Sequence, residues 1–503
     1  MKKSRTKRAI LAVTTSFAKE FVSLVCGLVL PRLILSSFGS AYNGITQSIS
    51  QFISYIELMK AGIGGATISA LYKPVSEKNE NEVNEILTST QKFMRKISGI
   101  FVVFVLVFAS LYPLLIVKDF DWWFTFSLIV IISISTFAQY YFGFTYQCLL
   151  AADQKNHITT SLDILSIILN TIVSVVLING GYTIHIVKLG SAIVSLITPL
   201  FLYVYVRKKY NIKHREPKED KIPQKWSAAA HEVASFVNNN TDVLILTMFS
   251  NLLEISVYSV YHYVVVNIKR IVTNFTIGFG AAFGDMYAKN EIDLMNKNLG
   301  IFELIIYSFA TITCSVTLVM IIPFVLLYTK GVTDVNYNRP IFALIITIGC
   351  AFNCFRVPYR SIVYAVGHYK QTKNGAIFEA ILNIFLSVVC VIKFGLVGVG
   401  IGSTAAMAFR SIQYAYYLSK NIMYRDIKLF IKHVVICFMI MLAVYIISKT
   451  YLPLTIDSWP KWIIYSTITT IIAGAFTLIT DYIFYKDDLY GLFRKLKANF
   501  MRG

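Results

Sequence analysis

Apolar residues run in stretches of about twenty along the whole chain, with short polar connections between them, and this spacing predicts membrane-crossing helices. The runs fall at 9–36, 42–71, 97–117, 123–149, 158–179, 183–206, 227–250, 254–285, 299–328, 339–366, 374–393, 396–419, 429–449 and 459–485. Strands of a membrane barrel would alternate apolar and polar positions in short segments. These runs are continuous and rich in Leu, Ile, Val and Phe, so the expected fold is an all-α integral membrane protein with about 14 transmembrane helices.

The pattern also repeats itself. Ile168-Leu169-Asn170 followed by Ser174-Val175-Val176 recurs as Ile381-Leu382-Asn383 and Ser387-Val388-Val389. Three further matches keep nearly the same offset: Glu20 and Ser23 with Glu232 and Ser235, Leu33-Ile34-Leu35 with Leu244-Ile245-Leu246, and Gly190-Ser191 with Gly402-Ser403. Spans 1 to 6 and 7 to 12 are then two copies of one unit. Six spans return the chain to its starting side, so the copies are parallel repeats related by an axis along the membrane normal, an organisation typical of transporters. The expected division is a lobe at 1–206, a basic linker at 207–226 with Pro217 and Pro223, a second lobe at 227–420, and an appendage at 421–503 containing spans 13 and 14.

Composition fits this picture. Hydrophobic residues make up 56% of the 503 and the mean hydropathy is +0.62. The net charge of +20 needs no nucleic-acid partner, because most of the 47 Lys and Arg lie at the N-terminus, in the even-numbered connections and in the tail, which places both termini in the cytoplasm. The opening Lys2-Lys3-Ser4-Arg5-Thr6-Lys7-Arg8 resembles the start of a signal peptide, but Lys19 and Glu20 interrupt the apolar run and no cleavage site follows. The Glu-rich connection 73–96 and the basic tail 489–500 are expected to be amphipathic helices at the cytoplasmic surface. All seven Cys sit inside apolar spans; Cys350 and Cys354 share a helix face, but with no His or acid cluster nearby they read as packing rather than a metal site. No cofactor and no metal are expected, and no phosphate-binding loop of an ATPase occurs. The outward connections are short, the longest near 329–338 and 450–458, which weighs against an enzyme acting on the outer face.

A charge at membrane depth is costly and marks a cavity or pathway by default. Lys19, Arg32, Lys60, Lys269, Arg270, Arg356, Arg360 and Arg410 are the candidates for binding an anionic group. Arg356 and Arg360, four residues apart, share a helix face. The repeat maps Lys60 to within a turn or two of Lys269 and Arg270, so cations from both copies would sit at similar depth, an arrangement suited to a phosphate or pyrophosphate. The competing arrangement pairs these cations with Glu20, Glu57, Asp163, Glu232, Asp242 or Glu379. Glu20, Glu57, Glu232 and Asp242 are also candidates for binding a coupling proton or sodium ion. Gly62, Gly64, Gly278 and Gly280, again repeat-related, are candidate hinges or close-packing points.

In order along the chain, residues 31–45 (PRLILSSFGSAYNGI), 239–246 (NNTDVLIL), Val257-Tyr258, 365–370 (AVGHYK) and 394–400 (FGLVGVG) resemble the polysaccharide-transporter, Wzx-like oligosaccharide flippase branch of the multidrug/oligosaccharidyl-lipid/polysaccharide (MOP) exporter superfamily. The resemblance covers nearly the whole chain. It implies two six-helix lobes in a V-shaped, MATE-like arrangement with a cavity lined mainly by spans 1, 2, 7 and 8, which carry Lys60, Lys269 and Arg270. It also implies translocation of undecaprenyl-pyrophosphate-linked glycans across the bacterial cytoplasmic membrane for O-antigen, capsule or exopolysaccharide synthesis, with membrane lipids, a polysaccharide polymerase and a chain-length regulator as partners. Two other functions compete: a cation-coupled MATE-type exporter of small molecules, and a membrane enzyme that polymerises or ligates glycans.

Overall fold

The backbone of residues 2–60, 63–116, 119–213, 215, 240–274, 279–452 and 456–500 is described by a computed structural model, together with the side chains of all of these except 2–10, 12–13, 57, 59, 281 and 495–500. Glu232, Gly62, Gly278, the side chain of Glu57 and most of the 207–226 linker therefore lie outside the described residues. The fold is all-helical, with no strand among the described residues. Contacts within the chain divide it into two units, Met1–Phe236 and Val237–Gly503.

The first unit contains α1 (Lys2–Phe38), α2 (Ser40–Ser54), a 3₁₀ turn (Tyr55–Lys60), α3 (Ile63–Glu77), α4 (Glu80–Leu115), α5 (Trp122–Ala138), a π turn (Gln139–Gly143), α6 (Phe144–Ala152), α7 (Asn156–Asn179), α8 (Ile184–Ser195) and α9 (Ile197–Lys209). The second contains α10 (Asn240–Phe249), α11 (Leu252–Asn274), α12 (Phe279–Ala288), α13 (Ile292–Tyr328), α14 (Pro340–Phe355), α15 (Val357–Ala365), α16 (Tyr369–Phe394), α17 (Leu396–Asn421), α18 (Lys428–Tyr451), α19 (Trp459–Phe484) and α20 (Lys486–Phe500). Where they are described, the fourteen expected spans fall on helices, and ten helical stretches among the described residues are long and apolar enough to cross a membrane. The other four are spans 2, 7, 8 and 12. Span 2 is divided between α2, the 3₁₀ turn and α3; span 7 is described only from Asn240; span 8 is divided between α11 and α12, with His262, Lys269 and Arg270 on α11; and span 12 is α17, which carries Arg410 and Gln413.

Local chemistry sets the boundaries. Gly39, at φ 92°, lets the chain turn sharply from α1 into α2, a conformation a residue with a Cβ rarely adopts. Asn79 caps α4: its side chain accepts from the Glu82 N–H at 3.2 Å and donates to the Glu82 carboxylate at 3.2 Å. No Pro or paired Gly follows until Pro113, so the expected surface helix at 73–96 is divided instead. Its first part belongs to α3, and the rest is the start of a 36-residue α4. The polar end of α4 binds the stretch after α9: Asn84 donates to the Asn211 carbonyl at 3.0 Å and accepts from the Lys213 N–H at 3.2 Å. The tail is helical as expected, and α20 packs on α13, with Gly491 beside Ile301. Both α18 and α19 also pack on α13.

The repeated word occupies equivalent helix crossings in the two units. In the first, Ser174 on α7 hydrogen-bonds Ser191 on α8 at 3.1 Å, next to Gly190. In the second, Asn383 on α16 donates to Ser403 on α17 at 3.4 Å, and Ser387 donates to the Asn383 side-chain oxygen at 3.2 Å. Gly398 and Gly402, four apart on α17, bring the two backbones together, as small residues do in membrane helices. A Cβ on Gly402 would stand 2.1 Å from the Ser387 hydroxyl oxygen and 2.5 Å from its backbone nitrogen. Gly402→Ala is therefore expected to destabilise the second unit by about 1–3 kcal/mol through forced separation of α16 and α17. The check is the thermal unfolding midpoint of the purified protein in detergent; an unchanged midpoint contradicts the close crossing.

Candidate functional site

In the first unit the cations sit in three different settings. Lys60 closes the 3₁₀ turn of span 2, and its ammonium lies 4.9 Å from the centre of the Tyr140 ring, in the π turn after α5. Arg32 is half-buried on α1 beside Pro31. Lys19 is committed to Asp163 on α7, at 2.6 Å across the α1–α7 contact, so one of the candidate anion-binding cations carries an intramolecular partner. Its neighbour Glu20 is exposed rather than paired with it.

In the second unit, Lys269 and Arg270 are adjacent on α11. Arg270 is exposed; Lys269 is half-buried, with its nitrogen 4.0 Å from the Met407 sulfur on α17. Met407 lies one helical turn beyond Ser403, so Lys269 stands about one turn from Asp242, which Ser403 hydrogen-bonds, and within electrostatic reach of it.

Asp242 lies in the first turn of α10, and α11 and α17 both reach it. Ser403 of α17 approaches both carboxylate oxygens, at 2.8 and 2.9 Å, and Tyr258 of α11 donates its phenol proton to one of them at 2.8 Å. With that proton committed, His262 Nδ1, 2.9 Å from the Tyr258 oxygen, is the donor in the next bond. Behind Ser403 stand Asn383 and Ser387 of α16, and the Ser387 hydroxyl donates to the Val399 carbonyl at 3.5 Å. The Asp242 carboxylate with the Ser403 and Tyr258 hydroxyls forms a small oxygen donor set. It fits a hard monovalent cation such as sodium, or a carboxylate that takes up a proton. Of these residues only Asp242 stood out in the sequence as a coupling candidate. The others were visible there as the repeated word, its partner Gly402-Ser403, and Val257-Tyr258.

Arg356, Arg360 and Arg410 come together elsewhere in the second unit. Glu379 on α16 takes Arg356 at 2.6 Å and Arg410 at 3.3 Å; the three are 6%, 7% and 3% exposed respectively. A further buried acid, Glu303 on α13, binds Arg425 at 2.7 Å and accepts the Tyr359 hydroxyl. Nothing in the local pattern around Glu303 distinguishes it from an ordinary acid near a span end. Cys314 on α13 joins Cys350 and Cys354 on α14, and all three sulfurs lie within 4.8 Å of one another in a fully buried cluster. The sequence could pair only the last two. Of the glycines proposed as hinges, a Cβ on Gly64 would make ordinary contact with Phe144 at 3.4 Å, and one on Gly280 would meet nothing within 4 Å. Packing alone therefore does not demand glycine at either position.

No protein-family model and no curated protein matches the chain. Solved structures do. A structure of the lipid II flippase MurJ in an inward closed conformation matches with a TM-score of 0.71 at 16% identity, over 95% of this chain and 99% of that one. An inward-facing multidrug resistance MATE transporter of the MOP superfamily matches with a TM-score of 0.63 at 13% identity, over 84% and 99%. The Vibrio cholerae MATE transporter VcmN in its bent form matches with a TM-score of 0.54 at 14% identity, over 84% and 100%. At these identities the likeness is one of fold. The chain is a multi-pass membrane protein with the fold shared by MurJ and the MATE transporters.

Proposed function

We propose that the chain is a flippase that moves undecaprenyl-pyrophosphate-linked oligosaccharide repeat units across the bacterial cytoplasmic membrane by alternating access, with both termini in the cytoplasm. The observation that carries this reading is the near-complete match to the fold of a lipid II flippase, supported by cations at membrane depth on spans 2 and 8, a residue type that suits an anionic head group. Lys60, Lys269 and Arg270 are the cations assigned to the diphosphate. Lys19 is not among them, because it binds Asp163.

The oxygen cluster at Asp242 supplies coupling. A cation or proton bound there neutralises the carboxylate and replaces the Ser403 and Tyr258 hydrogen bonds, which changes how α10 is held against α11 and α17. Lys269, one turn away, connects the two charges: an anion that draws its ammonium away leaves Asp242 more dependent on a bound cation. The same cluster also favours the second reading, a cation-coupled exporter of small molecules, since coupling by itself does not specify a cargo. The cations separate the two, because a site for cationic drugs would be dominated by acids.

Two outcomes check these assignments. Lys60→Ala and Arg270→Ala should each abolish surface polysaccharide in the host bacterium while the protein remains in the membrane fraction; normal glycan in both variants contradicts the site. Asp242→Asn should leave the protein folded but remove the dependence of transport on a sodium or proton gradient imposed across membrane vesicles. Retained gradient dependence would move coupling to another residue, and drug resistance on overexpression with unaltered glycan would favour the exporter.

A further inference from the structure

The arginines of α14 to α17 carry more charge than their surroundings balance. At Arg356, Arg360 and Arg410, three guanidinium groups meet one carboxylate, Glu379, leaving two positive charges in excess among the described residues. Each is at or near membrane depth, where an uncompensated charge is costly.

The three arginines are not equivalent. Arg410 is fully engaged: beyond Glu379 it donates to the Thr372 carbonyl at 3.2 Å, to Gln413 at 2.7 Å and to the Tyr414 hydroxyl at 2.7 Å, and it lies 4.0 Å over the Tyr414 ring. Gly375 makes room for it, since a Cβ there would stand 2.3 Å from an Arg410 terminal nitrogen. Arg356 gives one nitrogen to Glu379, while its Nε is buried with no hydrogen-bond partner. Arg360, one turn further along α15, is half-buried and makes no side-chain hydrogen bond or ion pair among the described residues, although its charge lies beside those of Arg356 and Glu379.

The position of Arg360 suggests what could complete it. It lies five residues before the end of α15 at Ala365, about 8 Å along the helix axis, at the end of span 10 that the basic connections assign to the cytoplasm. The next turn carries Tyr364, whose ring packs 4.9 Å from that of Tyr369, and α16 then opens with exposed Lys370 and Lys373. The feature is thus a planar guanidinium with free donors, set under an aromatic pair and a basic rim at head-group depth. A guanidinium is matched by a phosphate, which accepts two parallel hydrogen bonds from it and brings the negative charge that Glu379 alone cannot supply.

We propose that Arg360, backed by Arg356, binds a phosphate group at the cytoplasmic end of α15, and that the phosphate belongs to the head group of an anionic membrane lipid. This site is separate from the cations assigned to the transported substrate and does not depend on what the chain transports. Arg410 and Glu379 fix Arg356 in place; Arg360 makes the contact.

The full-length protein, purified in detergent, is incubated with phosphatidylglycerol, phosphatidylcholine or sodium pyrophosphate, and the retained adducts are counted by native mass spectrometry for the wild type, Arg360→Gln and Arg360→Lys. The wild type should retain phosphatidylglycerol at least about fivefold more than phosphatidylcholine, Arg360→Gln should lose that preference, and Arg360→Lys should keep part of it. Displacement of the lipid by pyrophosphate in the wild type but not in Arg360→Gln supports the phosphate chemistry and assigns it to a soluble source. Equal phosphatidylglycerol retention by the wild type and Arg360→Gln overturns the proposal. So does equal thermal stabilisation of the wild type by the two lipids, a measurement that requires no variant to fold.

Discussion

Water is absent from the middle of a membrane, so every polar group placed there must find its partner within the protein. The backbone meets this requirement by being helical almost throughout. The charged side chains meet it through a small set of pairings: Lys19 with Asp163, Arg356 and Arg410 with Glu379, Arg425 with Glu303, and Asp242 with Ser403 and Tyr258. These pairings tie separate elements together, some neighbours in sequence and some, such as α1 with α7, far apart, so the same constraint that makes charge costly also decides which elements are joined. The residues outside these pairings are then informative. Arg270 is exposed, Lys269 has its nitrogen 4.0 Å from the Met407 sulfur, and Arg360 faces excess positive charge.

Close packing connects this charge economy to the internal repeat. Both units use a glycine and two hydroxyl residues where their fifth and sixth helices cross, which accounts for the recurrence of one short word at a fixed offset. In the second unit the crossing does more. Gly398 and Gly402 bring α17 against α16, and this places Ser403 at the Asp242 carboxylate with Asn383 and Ser387 behind it. The first unit has Val29, Leu30 or Pro31 at the position equivalent to Asp242, depending on which repeat match sets the offset, so its crossing remains a packing element. The two copies have thus diverged in chemistry while keeping the same contact.

Hydropathy made the helices legible, because in a membrane length and apolarity suffice to identify a span. It did not show that α4 runs unbroken from Glu80 to Leu115, since its polar first turns read as a surface segment; the contacts of Asn84 with residues after α9 belong to the tertiary structure. Asp242 was visible as a lone acid in an apolar run, but its hydrogen-bond partners come from α11 and α17, and no local spacing joins them. Glu379 was one of six acids that could have answered the buried arginines, and only the fold selects it. Glu303 lies near the edge of its span, where a carboxylate looks ordinary, and Cys314 is on a different helix from the two cysteines it meets. Sequence pattern thus reports what each helix carries, whereas chemistry at a site depends on which helices meet.

In the proposed flippase, the cargo is recognised by the diphosphate that links glycan to lipid. The most direct measurement uses sealed proteoliposomes containing the purified chain and a fluorescent oligosaccharide on a polyprenyl diphosphate, with an added glycosidase reporting how much glycan reaches the outer leaflet. The account predicts that the protein speeds exposure of the diphosphate-linked glycan and leaves the same glycan on a neutral polyprenyl ether in the inner leaflet. Equal exposure of both lipids, or no acceleration of either under a sodium or proton gradient, would contradict it.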